Sequence, residues 1–313
     1  MIRLNISMPM LVRKLSVARG GNFKLTAALY ASSLLASCSG LLWSGYTSCF
    51  PWKTITIRTS EPGDDEGQLV LQVRRQAPPI GCALWPAGRV MMFWARRQLG
   101  NASNDVVEIG SGCGCTAIGL AQVMRSEEEK DLESPRRKVY AIDMCEYSLA
   151  NLRRNVKNNK MEESIEIVRW DLQGKPPFSL QRVEHLIAAD VIYKGGCDRL
   201  AACLHDMLQE NPKIKIHLLL VDRFSGSVVN AVAGVAGVEV RPSEQGEDPE
   251  LEDFERSLEL QGLEGRRHGL GEELRQEVMR SLPLEERMAW WLCGTWEGLK
   301  MLEIRAKKNK ERG

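Results

Sequence analysis

The first sixty residues of the chain contain no aspartate or glutamate, yet they carry seven basic side chains (Arg3, Arg13, Lys14, Arg19, Lys24, Lys53 and Arg58). The whole 313-residue chain has a formal net charge of only +1, so the rest holds 35 basic against 41 acidic residues and is net −6. A body of that sign is not built as an electrostatic footprint for nucleic acid. None of the nine cysteines forms a C-x-x-C pair, and the four histidines are dispersed, which argues against a structural zinc site. The odd, scattered cysteines lack a disulfide framework and fit a reducing compartment. Repeats of solenoid length are missing. With 43% hydrophobic and 27% charged residues the composition is globular, which excludes disordered and fibrous classes.

Long unbroken apolar runs are scarce as well. Residues 25–43 are mostly apolar but are diluted by Ser32, Ser33, Ser37, Ser39 and Gly40, short of the roughly 20 apolar residues of a spanning helix. A basic, serine-rich, acid-free segment reads as an organelle transit peptide, with a secretory signal or anchor and an unstructured extension as alternatives. Residues 1–50 are therefore expected to form an N-terminal extension, and residues 51–313 the working domain.

From residue 52 the texture changes. Thr54–Thr59 and Gln68–Val73 alternate with period two around a Pro/Gly/Asp-rich turn, which predicts a β-hairpin. Strands near 106–109, 139–142, 165–169, 186–189 and 214–221 then alternate with helices near 116–125, 146–158 and 197–209. This alternation predicts a doubly wound parallel α/β sheet. A helix near 225–235 and a short strand at 238–240 are expected next, with the last strand at 299–305. The charge-rich stretch 242–297, centred on Gly265-Arg-Arg-His-Gly269, reads as an insertion before that last strand.

The chemistry concentrates at strand ends. The first alternating strand runs into Glu108-Ile-Gly110-Ser111-Gly112-Cys-Gly114-Cys, a G-x-G-x-G turn preceded by an acid. The dinucleotide fingerprint G-x-G-x-x-G would need a glycine at 115, where cysteine stands, so a nicotinamide cofactor is disfavoured. Glycines at such a turn let backbone approach a ligand. Asp143 ends the next strand, where an acid can reach a ribose diol or simply cap a helix. Trp170-Asp171 follows the third strand, with a core tryptophan as the alternative reading. Asp190 leaves the apolar run Leu186-Ile-Ala-Ala189, in a position that suits either a catalytic or a capping acid.

Taken together these residues resemble the seven-β-strand protein-lysine methyltransferases of methyltransferase family 16. The likeness rests on E-x-G-x-G-x-G, Asp143, Trp170-Asp171 and especially Asp190-Val-Ile-Tyr193. Leu84-Trp85-Pro86-Ala87 and the helix Asn151-Leu-Arg-Arg-Asn155-Val-Lys-Asn-Asn159 add to it. It covers residues 52–241 and 299–305. The resemblance implies a seven-stranded Rossmann-like class I fold and S-adenosylmethionine as cofactor, held by Trp85, Glu108, Gly110, Ser111, Gly112, Gly114, Asp143, Ala189 and one of Trp170 and Asp171. It implies catalysis by Asp190 and Tyr193 and transfer to a lysine of a protein substrate. No metal, nucleic acid or membrane contact of the catalytic domain is expected, and the domain is expected to be monomeric. Family likeness points to the cytoplasm and the basic N-terminus to a mitochondrion or plastid. A small-molecule or nucleic-acid methyltransferase, and a non-catalytic interaction protein of the same fold, are the alternatives.

Overall fold

Strand β3 (Asp105–Ile109) is buried along its whole length, as a strand must be when helices cover both faces of its sheet. It lies near the middle of a seven-stranded sheet of order β5-β4-β3-β6-β7-β9-β8. The computed structural model describes residues 52–59, 68–74, 80–129, 136–192, 195–222, 248–292, 295–296 and 298–307. The chain divides into two compact units, and all of these residues belong to the one made of Cys49–Gly226 and Gly246–Gly313. The expected extension 1–50, helix 225–235 and strand 238–240 lie outside the described residues.

Strands β4 (Val139–Asp143), β5 (Ile165–Arg169), β6 (Val183–Ala189) and β7 (Lys215–Val221) run parallel with β3. The chain steps outward from β3 through β4 to β5, then returns to pair β6 with the other side of β3. That reversal is a topological switch point, and the crevice outside the carboxyl ends of β3 and β6 is where such sheets take ligands. Strand β9 (Leu299–Ala306) is antiparallel to both β7 and the edge strand β8 (Leu263–His268).

Helix α1 (Pro86–Leu99) has proline in its first turn, where the missing N–H costs nothing. Helices α2 (Cys115–Glu128), α3 (Glu146–Asn158) and α4 (Cys197–Glu210) follow β3, β4 and β6. Beyond β7 come α5 (Pro249–Leu260), α6 (Glu272–Ser281) and α7 (Leu284–Leu292). Apolar side chains of α1, α2, α3 and α6 form one buried cluster with the hairpin. Those of α4 and α5 form a second with Trp170, so the sheet is the middle layer of three. Among the described residues no helix is long and apolar enough to cross a membrane.

Strands β1 (Trp52–Arg58) and β2 (Gln68–Arg74) form the expected hairpin, separate from the main sheet. The second edge of β2 is met by an asparagine ladder on α3. Asn159 accepts from Val70 N at 2.9 Å and donates to Val70 O at 2.7 Å. Asn155 accepts from Gln72 N at 2.8 Å and donates to Gln72 O at 3.1 Å, and Asn151 also donates to Gln72 O. The match is geometric: four helical residues rise about 6 Å and two strand residues about 6.7 Å. Asparagines spaced by four therefore serve strand residues spaced by two, and an edge that could recruit a foreign strand is closed.

The stretch 242–297, set apart on sequence as an insertion, supplies the sheet's edge strand β8. Its Leu-Glu-Gly-Arg-Arg-His composition hides it because an edge strand pairs on one side only and tolerates charge. Arg267 meets Glu255 at 2.7 Å, and Glu264 accepts from Arg305 across the β8–β9 pair. The helices after β8 return over α1, where buried Arg89 reaches Glu286 at 3.3 Å and Arg97 reaches Glu273 at 2.6 Å.

Neighbouring strands β6 and β7 bring His185 Nδ1 within 3.4 Å of His217 Nε2, and Trp94 packs on the His217 ring at 4.9 Å. Burial, then the neighbouring His185, pushes His217 down to about 4, and burial lowers His185 too. Both rings are thus harder to protonate in the folded than in the unfolded chain, whose histidines titrate near 6.5. Their contribution to stability is present above pH about 6.5 and lost as pH falls towards about 4. Replacing His217 by leucine should flatten that acid limb, measured as denaturant midpoints between pH 4.5 and 7.5.

Candidate active site

The glycine loop is shaped by two close approaches. Gly110 and Gly112 both have positive φ (72° and 53°). A Cβ on Gly110 would stand 2.6 Å from Val191 Cγ1, so the loop leaving β6 lies directly against the loop leaving β3. A Cβ on Gly112 would stand 2.9 Å from the carbonyl oxygen of Gly81, in the 3₁₀ turn Ile80–Cys82 before α1. Side chains at either place would force apart the segments that wall the crevice. Gly114 caps α2, whose amino end then faces the same crevice.

Asp143 ties the loop to its neighbours. Its Oδ2 accepts from Gly112 N at 3.1 Å and its Oδ1 from Cys145 N at 2.8 Å. Ser111 N donates to Ile142 O at 2.8 Å, so the loop hangs from the end of β4 by two bonds. Burial pushes the Asp143 carboxyl up, and the backbone donors of Cys145 and Gly112 pull it back.

Glu108 sits beneath the loop, buried, with Oε2 accepting from Ala117 N at 3.1 Å at the start of α2. Burial raises its carboxyl to about 7 against hydrogen bonds from Thr116, Ser111 and Ala117. Ser111 is buried and spends its hydroxyl on Glu108 O at 3.1 Å. Both residues brace the loop from inside.

Trp85 ends the segment before α1 and is 43% exposed. Ala189 closes β6, half-buried, and Asp190 follows with φ 53° and its N–H on Leu219 O at 3.0 Å. Asp190 therefore leaves the sheet at the switch point, one residue from the side chain that touches Gly110. Tyr193 lies outside the described residues.

The two readings of Trp170-Asp171 separate clearly. Trp170 is 7% exposed and packs edge-on to Phe178 at 6.3 Å, and its Nε1 donates to Gln173 O at 2.9 Å. Its ring packs as a core side chain does. Asp171 is exposed and accepts from Gln173 N at 3.1 Å in a tight turn. The turn at Leu172 (φ 64°) folds Gln173 back over the indole N–H, which is why the ring stays inside.

Gly81 and Cys145 border the glycine loop and Asp143 but carry no acid, base or motif position that would single them out. Gly81 is confined because a Cβ there would fall 2.2 Å from Ser148 Oγ and 3.4 Å from Asp143 Oδ2. A glycine after Pro78-Pro79 was the one available sign. No cluster of three or more metal-ligating side chains exists among the described residues.

A family model described as lysine methyltransferase matches residues 64–223, just over half of the chain. The chain belongs to this family. Its fold and family are those of an S-adenosylmethionine-dependent methyltransferase, and the cradle suits that cofactor: glycines that clear the approach, a helix amino end, and an acid at the end of β4. No curated protein matches the chain by sequence. Similar solved structures include the CcbJ methyltransferase from Streptomyces caelestis, at 14% identity over 74% of this chain and 94% of that one, TM-score 0.45. M. jannaschii TYW2 in complex with AdoMet shows 14% identity over 83% and 86%, TM-score 0.39. An O-methyltransferase from Bacillus cereus in complex with SAH shows 15% over 72% and 82%, TM-score 0.38.

Gly112→Ala should leave the far-ultraviolet circular dichroism spectrum unchanged and weaken S-adenosylmethionine binding by about tenfold or more, read by calorimetry. The methyl must displace the Gly81 turn from the wall of the cradle.

Proposed function

We propose that the chain methylates a lysine side chain of a protein substrate, with Asp190 receiving the amine and Tyr193 as the second catalytic side chain. The observation that carries this reading is the position of Asp190, at the carboxyl end of β6 and next to the residue that contacts the glycine loop. The family description supports lysine as the acceptor.

Bound S-adenosylmethionine supplies an electrophilic methyl group on a sulfonium. The protein's task is to present a neutral nitrogen in line with it at near-attack distance. A lysine arrives as an ammonium, with a reference pKa near 10.4. The Asp190 carboxylate draws that cation to the mouth and orients it. After a proton leaves to solvent, the same carboxylate offsets the positive charge that returns to nitrogen as the N–C bond forms and the methyl's bond to sulfur breaks, its electron pair staying with the departing thioether. For Tyr193 the proposed role is to accept an N–H hydrogen bond from the amine, and an aromatic face tolerates a cationic head. Asp143 and the glycine loop keep the donor's position fixed while this happens.

Asp190→Ala should bind S-adenosylmethionine as the wild type does and lose transfer. The assay incubates full-length protein with donor labelled in the methyl group and a cell lysate, then separates protein from small molecules. Label in a protein band, recovered as methyl-lysine after hydrolysis and absent with Asp190→Ala, is the expected outcome. Full transfer by the variant, or label only in the small-molecule fraction, would overturn the reading.

A further inference from the structure

We propose that the N-terminal hairpin is a working part of the cofactor site, coupled to the glycine loop through Asn155, which acts as a positioning residue. Asn155 is fully buried on α3 and has every hydrogen-bonding atom of its side chain engaged. Its Oδ1 accepts from Gln72 N at 2.8 Å. Its Nδ2 donates once to Gln72 O at 3.1 Å and once to Cys113 O at 2.8 Å. One amide thus joins the edge strand of the hairpin to the middle of the loop that cradles the cofactor.

The bond to Cys113 matters because of what it completes. The Cys113–Gly114 peptide is held at its other end as well, since Gly114 N donates to Ser111 O at 2.8 Å. With both its C=O and its N–H engaged, this peptide plane cannot rotate without breaking a buried hydrogen bond. It lies between Gly112, which borders the Gly81 turn, and Gly114, which starts α2. Rotating it would re-aim the donors that face the crevice. An aspartate at 155 would set an oxygen against two carbonyls, and a hydrophobe would leave Cys113 O without that bond.

The other two rungs of the ladder show what a purely structural asparagine looks like. Asn159 spends its side chain on Val70 and the helix carbonyl of Asn155, and Asn151 Nδ2 donates to Gln72 O. Neither has a recorded bond to the glycine loop. All three attach the hairpin, and Asn155 also bonds the loop. Coupling of this kind is reciprocal: if the docked hairpin improves cofactor binding, the cofactor must tighten the hairpin by the same factor.

The test uses the full-length chain. Amide hydrogen exchange is followed with and without S-adenosylmethionine, in peptides spanning β2 and in peptides spanning residues 108–118. Added cofactor should slow exchange in both, although β2 is not expected to touch it. In parallel, cofactor affinity is measured for Asn155→Ala and Asn159→Ala at a temperature where both are folded. Asn155→Ala should weaken binding about tenfold, the scale of one buried hydrogen bond, and Asn159→Ala by less than about twofold. Equal losses in both variants, wild-type affinity in Asn155→Ala, or β2 exchange unmoved by cofactor would each overturn the proposal. If Asn155→Ala does not fold, the wild-type exchange measurement decides alone. Failure of the wild type to bind S-adenosylmethionine would instead count against the cofactor, and so separates the two.

Discussion

The carboxylate of Asp143 accepts two backbone N–H groups from different segments, Gly112 of the glycine loop and Cys145 at the start of α3, and the rest of the site is arranged around that joint. The end of β4 is anchored in the sheet, so whatever Asp143 holds inherits the sheet's position. Through Gly112 it fixes the loop; through Cys145 it fixes the entry of α3, and with it the asparagines that dock the hairpin. The Gly81 turn closes over the same oxygen. A buried carboxylate is costly to desolvate, and two backbone donors offset that cost only while both segments stay in place. The acid therefore works as a scaffold for the loop and for the helix at once.

How much of this could be read from residues alone depended on periodicity. The parallel strands and their helices were legible because apolar runs bounded by glycine and aspartate are what a doubly covered sheet demands. The loop at Gly110–Gly114, Asp143 and Asp190 were legible because they stand where those runs stop. Strand β8 was not, since an edge strand such as Leu-Glu-Gly-Arg-Arg-His needs no apolar alternation. The burial of Trp170 was not legible either, because it rests on a turn at Leu172 that offers Gln173 O to the indole N–H. Asn155 matched a familiar helix, but its link to Cys113 O spans 42 positions and leaves no local trace.

Glu108 shows how one letter of a motif can act indirectly. The carboxyl of the acid before the first glycine receives Ala117 N from the first turn of α2. A motif position can thus shape a site by holding the backbone that forms it. The same division runs through the whole crevice: Ser111 and Glu108 support from below, while Asp143, Trp85 and Asp190 lie nearer the surface.

The two cysteines inside the glycine loop have a practical side. Burial pushes the Cys113 thiol up to about 12 and raises Cys115 well above its ordinary value. Thiolate is the reactive form, so burial holds both thiols of this pair in their less reactive protonated form. Cys145, at the start of α3 and two residues from Asp143, is only half-buried, so an alkylating reagent meets it before either cysteine of the loop.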